Sequence, residues 1–201
     1  MNIELPIEET PLPPSLPWLH SMGLRGILYI MRGPSGSGKS YRANQLAEGD
    51  KERIFSADKW FSKTEDMEEY RANWAKEKLF TAHNWCKGML AQAMQKGISP
   101  VVVDNTNIKR RDFLGFADLA DQYQYMWVIE ESQSPWWLEI KELLTDQKNN
   151  EKQLKVWAKK LSEGFKHNDA IIKNVHGVPE DTILRMLMTF QPYHGGKYKL
   201  T

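Results

Sequence analysis

The stretch Gly33-Pro34-Ser35-Gly36-Ser37-Gly38-Lys39-Ser40 fits the phosphate-loop pattern G-x-x-x-x-G-K-[ST]. Its surroundings give the pattern weight. The apolar run Gly26-Ile27-Leu28-Tyr29-Ile30-Met31 precedes it, and a helix-compatible stretch from Tyr41 to Ala47 follows. A buried strand that feeds a glycine-rich turn into a helix aims backbone N–H groups and the positive end of the helix dipole at one point. The expectation is a nucleoside triphosphate site spanning Gly33 to Tyr41. Lys39 would reach the β- and γ-phosphates, and Ser40 would ligate Mg²⁺.

The rest of the chain alternates strand and helix patterns. Arg53-Ile54-Phe55-Ser56 reads as a second strand and Pro100-Val101-Val102-Val103-Asp104 as a buried third. Tyr123 to Glu130 reads as a fourth. Between them, Glu68 to Gln95 is helical by its Ala72, Ala75, Leu79, Ala82, Trp85, Met89 recurrence, and Gly97 closes it. A further helix is expected from Lys109 to Asp121. This order predicts an α/β fold of the P-loop NTPase type, a parallel sheet with helices on both faces. The remainder reads as mostly helical, with Pro179 opening a last helix.

Residues 1–23 read as an arm in which five prolines oppose regular structure, with Trp18-Leu19 able to dock on the domain or on a protein partner. The kinase-like domain is expected over 24–192, with a lysine-rich insertion at 145–169, and 193–201 as a tail.

Composition narrows the function. Lys+Arg 27 against Asp+Glu 26 gives a net charge of +1, so no global attraction to nucleic acid or membrane exists, and polyanion binding needs a local patch. One cysteine, Cys86, excludes an intramolecular disulfide framework and reads as a packed helix residue. No apolar run reaches the roughly 20 residues of a membrane span. Met1 to Thr10 lacks the basic and apolar parts of a signal peptide. A cytoplasmic or nuclear location is the expectation.

Several residues can carry chemistry. Asp58 follows the second strand, at the sheet edge where open α/β folds bind ligands. It can take the proton of an attacking hydroxyl, or it can simply cap the next segment. Asp104 ends the third strand, where a carboxylate can hold Mg²⁺. Asn105, Thr106 and Asn107 either contact substrate or shape the loop through local hydrogen bonds. Arg110 and Arg111, next to Lys109, either bind a substrate phosphate or form a solvated helix start; basic residues there oppose the dipole, which favours the phosphate. Lys152, Lys155 and Lys159 line one helix face, read as a solubilising surface, a lid or a cationic wall. Lys173 and Arg185 are further candidates for charge over the transferred group. No His/Cys cluster has zinc spacing, and His83 reads as a packing residue.

Taken together, the motifs resemble the phosphate-loop kinase domain shared by polynucleotide 5′-hydroxyl kinases and the Nedd-four-binding-protein-two-like family. The resemblance is carried by Leu28 to Ser40, Phe55-Ser56-Ala57-Asp58, Ala82-His83-Asn84-Trp85 and Gly97 to Ile108. Trp136-Trp137 and Asn174-Val175-His176-Gly177-Val178-Pro179 complete it. Phe116 to Tyr125 also resembles the kinase-like N-terminal domain of cyclic nucleotide phosphodiesterases. The resemblance implies ATP and Mg²⁺ as cofactors, transfer to a nucleic acid 5′-hydroxyl, Asp58 as base, and Lys173 on a lid over the phosphates. The sequence departs from the family at Tyr41, where Thr is common, at Lys59, where a second acid is usual, and at Phe61, where a substrate-binding arginine can stand. Lys173 replaces an arginine, and the stretch from Lys141 to Ala170 is longer than is typical. Lys59 and Phe61 keep open an ATP-binding interaction module with weak or absent chemistry; a kinase of a small metabolite or nucleotide is a further alternative.

Overall fold

The computed structural model describes residues 14–62, 66–167 and 170–193. The first 13 residues of the expected arm and nearly all of the expected tail lie outside them. Four strands, β1 (Gly26–Arg32), β2 (Ile54–Phe55), β3 (Val101–Val103) and β4 (Tyr125–Glu131), form a parallel sheet in the order β2-β3-β1-β4. Leu28 pairs with Val101 on one side of β1 and with Trp127 on the other. The chain leaves β1 toward β2, returns to β3 between them, and crosses to β4. Strand order therefore reverses at β1 and β3, and their carboxyl ends open the crevice where such sheets bind ligands.

Period-two alternation sends β1 into two cores. Leu28 and Ile30 pack with Phe113, Phe116 and Leu90 from α5 (Arg110–Gln122) and α4 (Leu79–Gln95). Ile27, Tyr29 and Met31 pack with Ala43 of α2 (Lys39–Leu46) and Leu19 of α1 (Leu16–Ser21). Helices thus cover both faces, as expected. A third core joins α6 (Pro135–Leu144), α7 (Glu151–Glu163) and α8 (Glu180–Met188) through Trp137, Leu154 and Leu187.

Three local expectations change. The arm contains helix α1 despite its prolines: Pro17 sits in the first turn, where its missing N–H has no helical partner to lose, and Leu19 is buried. The long helix expected over Glu68 to Gln95 is broken into α3 (Met67–Asn73), a 3₁₀ turn at Lys76–Lys78, and α4. Trp74 and Ala75 take extended backbone there, and the Asn73 amide donates to the Phe61 carbonyl at 2.9 Å. After α7 the chain forms an antiparallel hairpin, β5 (Phe165–His167) and β6 (Ala170–Ile172), in a stretch expected to be mostly helical.

Candidate active site

The loop after β1 is built for close approach of an anion. Gly33 and Gly38 hold φ of +134° and +92°, and a Cβ on them would lie 2.7 Å from Ser37 Oγ and 2.6 Å from Ser132 Oγ. Only glycine fits both positions. Gly38 caps α2 without any side chain on its first-turn amides. The loop is braced from behind instead: Ser134 Oγ donates to the Ser37 carbonyl and Trp136 Nε1 to the Gly36 carbonyl, both at 2.9 Å. Lys39 is 8% exposed and donates to the Pro34 carbonyl at 2.9 Å. Burial lowers its pKa, and the carboxylates of Asp104 and Asp58 oppose that shift. Ser35 is partly buried, while Ser40 and Tyr41 are open to solvent at the mouth.

The segment after β3 closes the floor. The Asp104 N–H donates to the Phe55 carbonyl at 2.8 Å, and its Oδ1 is buried with no hydrogen-bond partner among the described residues. Asn105 Oδ1 accepts the Ala57 N–H at 2.9 Å. The Thr106 carbonyl accepts the Gly33 N–H at 2.9 Å, and Asn107 Nδ2 donates to the Met31 carbonyl at 2.8 Å. Asn105 and Asn107 are both buried, so their amides stitch β2, β1 and the phosphate loop together.

Asp58 sits on a 3₁₀ turn, Ala57–Trp60, whose start is capped by Ser56 Oγ accepting the Asp58 N–H at 3.2 Å. Its side chain is 45% exposed. Tyr70 donates its hydroxyl to Oδ1 at 3.1 Å. Burial, and next the Asp58 charge, push the Tyr70 pKa upward, so it remains a donor. On the other side His176 Nε2 lies 3.8 Å from Oδ2, and the Tyr70 and His176 rings pack with centroids 4.7 Å apart. His176 is carried by a loop that Asn174 ties down, donating to the carbonyls of Ser162 (2.9 Å) and Val178 (2.8 Å). Reading the sequence did not select Tyr70 or His176. The signal for His176 was the Asn174 to Pro179 element; Tyr70 carried none, since it sits in a polar helix.

Lys39, Asp58 and Asp104 are therefore brought together, and Ser40 stands on the turn that begins at Lys39. Other candidates lie apart. Arg111 has an 80% exposed side chain 3.9 Å from Asp112, and Arg110 reaches 5.7 Å from the Tyr193 ring. Both open α5, beside a cavity of about 210 Å³ shared with Arg185 and Thr189 of the α8 end. Lys173 is exposed just past β6. Lys152, Lys155 and Lys159 are exposed on α7, whose inner face of Leu154, Ala158 and Leu161 is buried. Cys86 is buried, its thiol pushed up to about 12.

Among the described residues no cluster of three or more His, Cys, Asp or Glu could hold a metal by itself. Mg²⁺ does not require one, since phosphates and water fill most of its sphere. The orphaned Asp104 Oδ1 and the open Ser40 hydroxyl fit such an ion. No helix among the described residues is long and apolar enough to cross a membrane.

Fold and loop define a nucleotide-binding, kinase-like phosphate-loop domain. A family model described as an AAA domain matches residues 28–163, and the chain belongs to that family. The chain is similar to human NEDD4-binding protein 2, at 26% identity over 168 residues, 83% of this chain and 8% of that protein. It is also similar to mouse 2′,3′-cyclic-nucleotide 3′-phosphodiesterase, at 31% over 118 residues, 58% of this chain and 26% of that protein. These matches bear out the family resemblance read from the motifs. The chain spans about a quarter or less of each relative's length.

Proposed function

We propose that the domain is an ATP- and Mg²⁺-dependent phosphotransferase that moves the γ-phosphate onto the 5′-hydroxyl of RNA or DNA. The observation that supports it best is the charge arrangement: a buried Lys39 under the opposing fields of Asp58 and Asp104, with Asp58 half-exposed at the mouth. Lys39 and the loop amides hold the triphosphate. Ser40 and Asp104 would hold Mg²⁺, which neutralises charge on the β- and γ-phosphates when bound. Asp58 receives the hydroxyl proton as the hydroxyl oxygen bonds to the γ-phosphorus and the bond from that phosphorus to the bridging oxygen breaks, releasing ADP. Most of the acceleration comes from positioning and charge neutralisation. Arg110, Arg111 and Lys173 are assigned to the acceptor and lid, and Asn105 to Asn107 to shaping the acceptor edge.

The test is incubation with labelled ATP and a panel of 5′-hydroxyl oligonucleotides, nucleosides and sugars. Transfer to oligonucleotides supports the reading; transfer only to small acceptors redirects it. A second reading, an ATP-binding interaction module, is favoured by Phe61. It is buried against Trp60 and Tyr70, ring centroids 5.0 and 5.6 Å away, at the position where the family resemblance would put a substrate-binding arginine. Retention of ATP without transfer to any acceptor selects that reading.

A further inference from the structure

We propose that His176 is a positioning residue that, with Tyr70, fixes the Asp58 carboxylate for the acceptor hydroxyl; this rests on the phosphotransfer reading above. A half-exposed aspartate on a short turn has free rotation about its side-chain bonds unless both oxygens are held. Here both are addressed. Tyr70 donates to Oδ1 at 3.1 Å, from α3. His176 Nε2 faces Oδ2 at 3.8 Å, from the loop between β6 and α8. The two rings lie against each other, so each also fixes its neighbour.

The grip spans two packing units. Tyr70 and the Ala57 and Phe61 that flank the Asp58 turn belong to the core under α4 and α5, whereas the His176 loop is tied by Asn174 to the end of α7 and to Val178. The carboxylate is thus addressed from two different packing units. At 3.8 Å the pair is outside hydrogen-bond range, and a shift of about 1 Å brings it inside. Such contacts in a ligand-free site are commonly long and tighten with substrate bound.

A packing role alone does not account for the ring's chemistry. His176 Nδ1 is buried with no partner among the described residues. A buried, unpartnered polar atom is unfavourable, and an apolar ring would stack on Tyr70 without it. What only imidazole supplies at this place is a nitrogen facing Oδ2.

The experiment compares steady-state transfer to a 5′-hydroxyl oligonucleotide by the unaltered chain, H176A and H176Q, with ATP binding by calorimetry and melting temperature for each. Gln returns an N–H near the place of Nε2. The expected result is a kcat lowered about 10- to 100-fold in H176A, with ATP affinity and melting temperature held and most of the turnover restored in H176Q. Turnover in H176A equal to the unaltered chain overturns the positioning role and leaves the phosphotransfer reading standing. Equal losses in H176A and H176Q, with weakened ATP binding or a lowered melting temperature, also overturn it, since the ring then only packs. Nucleotide binding without transfer by the unaltered chain overturns the phosphotransfer reading, and this role with it.

Discussion

Arg32 and Asn107 exchange support across the sheet edge: Arg32 Nε donates to the Asn107 carbonyl at 2.8 Å, and Asn107 Nδ2 donates to the Met31 carbonyl at 2.8 Å. The guanidinium goes on to the carbonyls of Ile108 (2.9 Å) and Gln191 (2.7 Å), between the rings of Phe113 and Phe190. A charge with no exposed surface thus joins the end of β1, the loop after β3 and the C-terminal segment. Arg32→Met strands three carbonyls, while Glu131, 3.9 Å from Arg32, keeps Lys141 at 3.2 Å and Trp137 Nε1 at 3.3 Å. The expected cost is about 3–5 kcal/mol of unfolding free energy, read from urea denaturation.

Gly38→Ala places a methyl 2.6 Å from Ser132 Oγ and forces a non-glycine residue to φ +92°. The α2 amides then turn from the ligand position. Calorimetry with magnesium ATP should show affinity at least about tenfold weaker, because roughly 1.4 kcal/mol is a tenfold change.

Asp58→Ala should spare ATP binding and remove transfer. Tyr70→Phe keeps the ring and loses only the donor to Oδ1, so stability should fall by about 1 kcal/mol, the worth of one hydrogen bond. Transfer should fall less in Tyr70→Phe than in Asp58→Ala. Single-turnover rates with saturating ATP distinguish the two; full transfer by Asp58→Ala removes Asp58 as the base.

Nucleotide affinity should fall with rising pH. Burial holds the Lys39 pKa below its ordinary 10.5. A bound triphosphate favours the charged amine and raises that pKa, so binding takes up a proton in the window between the two values. Affinity measured as pH rises through that window should drop, and Lys39→Arg, which stays charged, should flatten the profile.

Cys86 should remain unmodified by iodoacetamide in the native protein at pH 9 and react once urea unfolds the chain. Its folded pKa is raised by burial from 9.0 to about 12. The unfolded thiol loses its proton first, so this stability contribution is complete below pH 9 and is lost as pH rises toward about 12. Cys86→Val should show a shallower alkaline loss of stability than the unaltered chain.

The sheet was legible because buried parallel strands are continuous apolar runs, and Gly26 to Met31 and Val101 to Val103 have no competing reading. The phosphate loop was legible because its geometry demands glycine at fixed places. That Asp58 and Asp104 come close to Lys39 was legible from their position after strand ends. What the sequence hid was set by tertiary contact. Asn105 reaches Ser56 and Ala57, and Asn107 reaches Met31, partners that a linear reading does not locate. The break at Trp74 and Ala75 has no proline or glycine to announce it; the bond from Asn73 to Phe61 accompanies it. The β5–β6 hairpin is three residues per strand, too short for a clear alternation. Tyr70 and His176 meet at Asp58 from segments roughly a hundred positions apart, which no local pattern records.

The bond from Trp136 Nε1 to the Gly36 carbonyl makes the domain its own optical gauge. Indole emission depends on its hydrogen bonding and surroundings, and this ring is anchored to the middle of the phosphate-binding turn. A rearrangement of that turn on filling should change the emission of the unlabelled chain, and Trp136→Phe tests whether this ring, one of eight tryptophans, carries the signal.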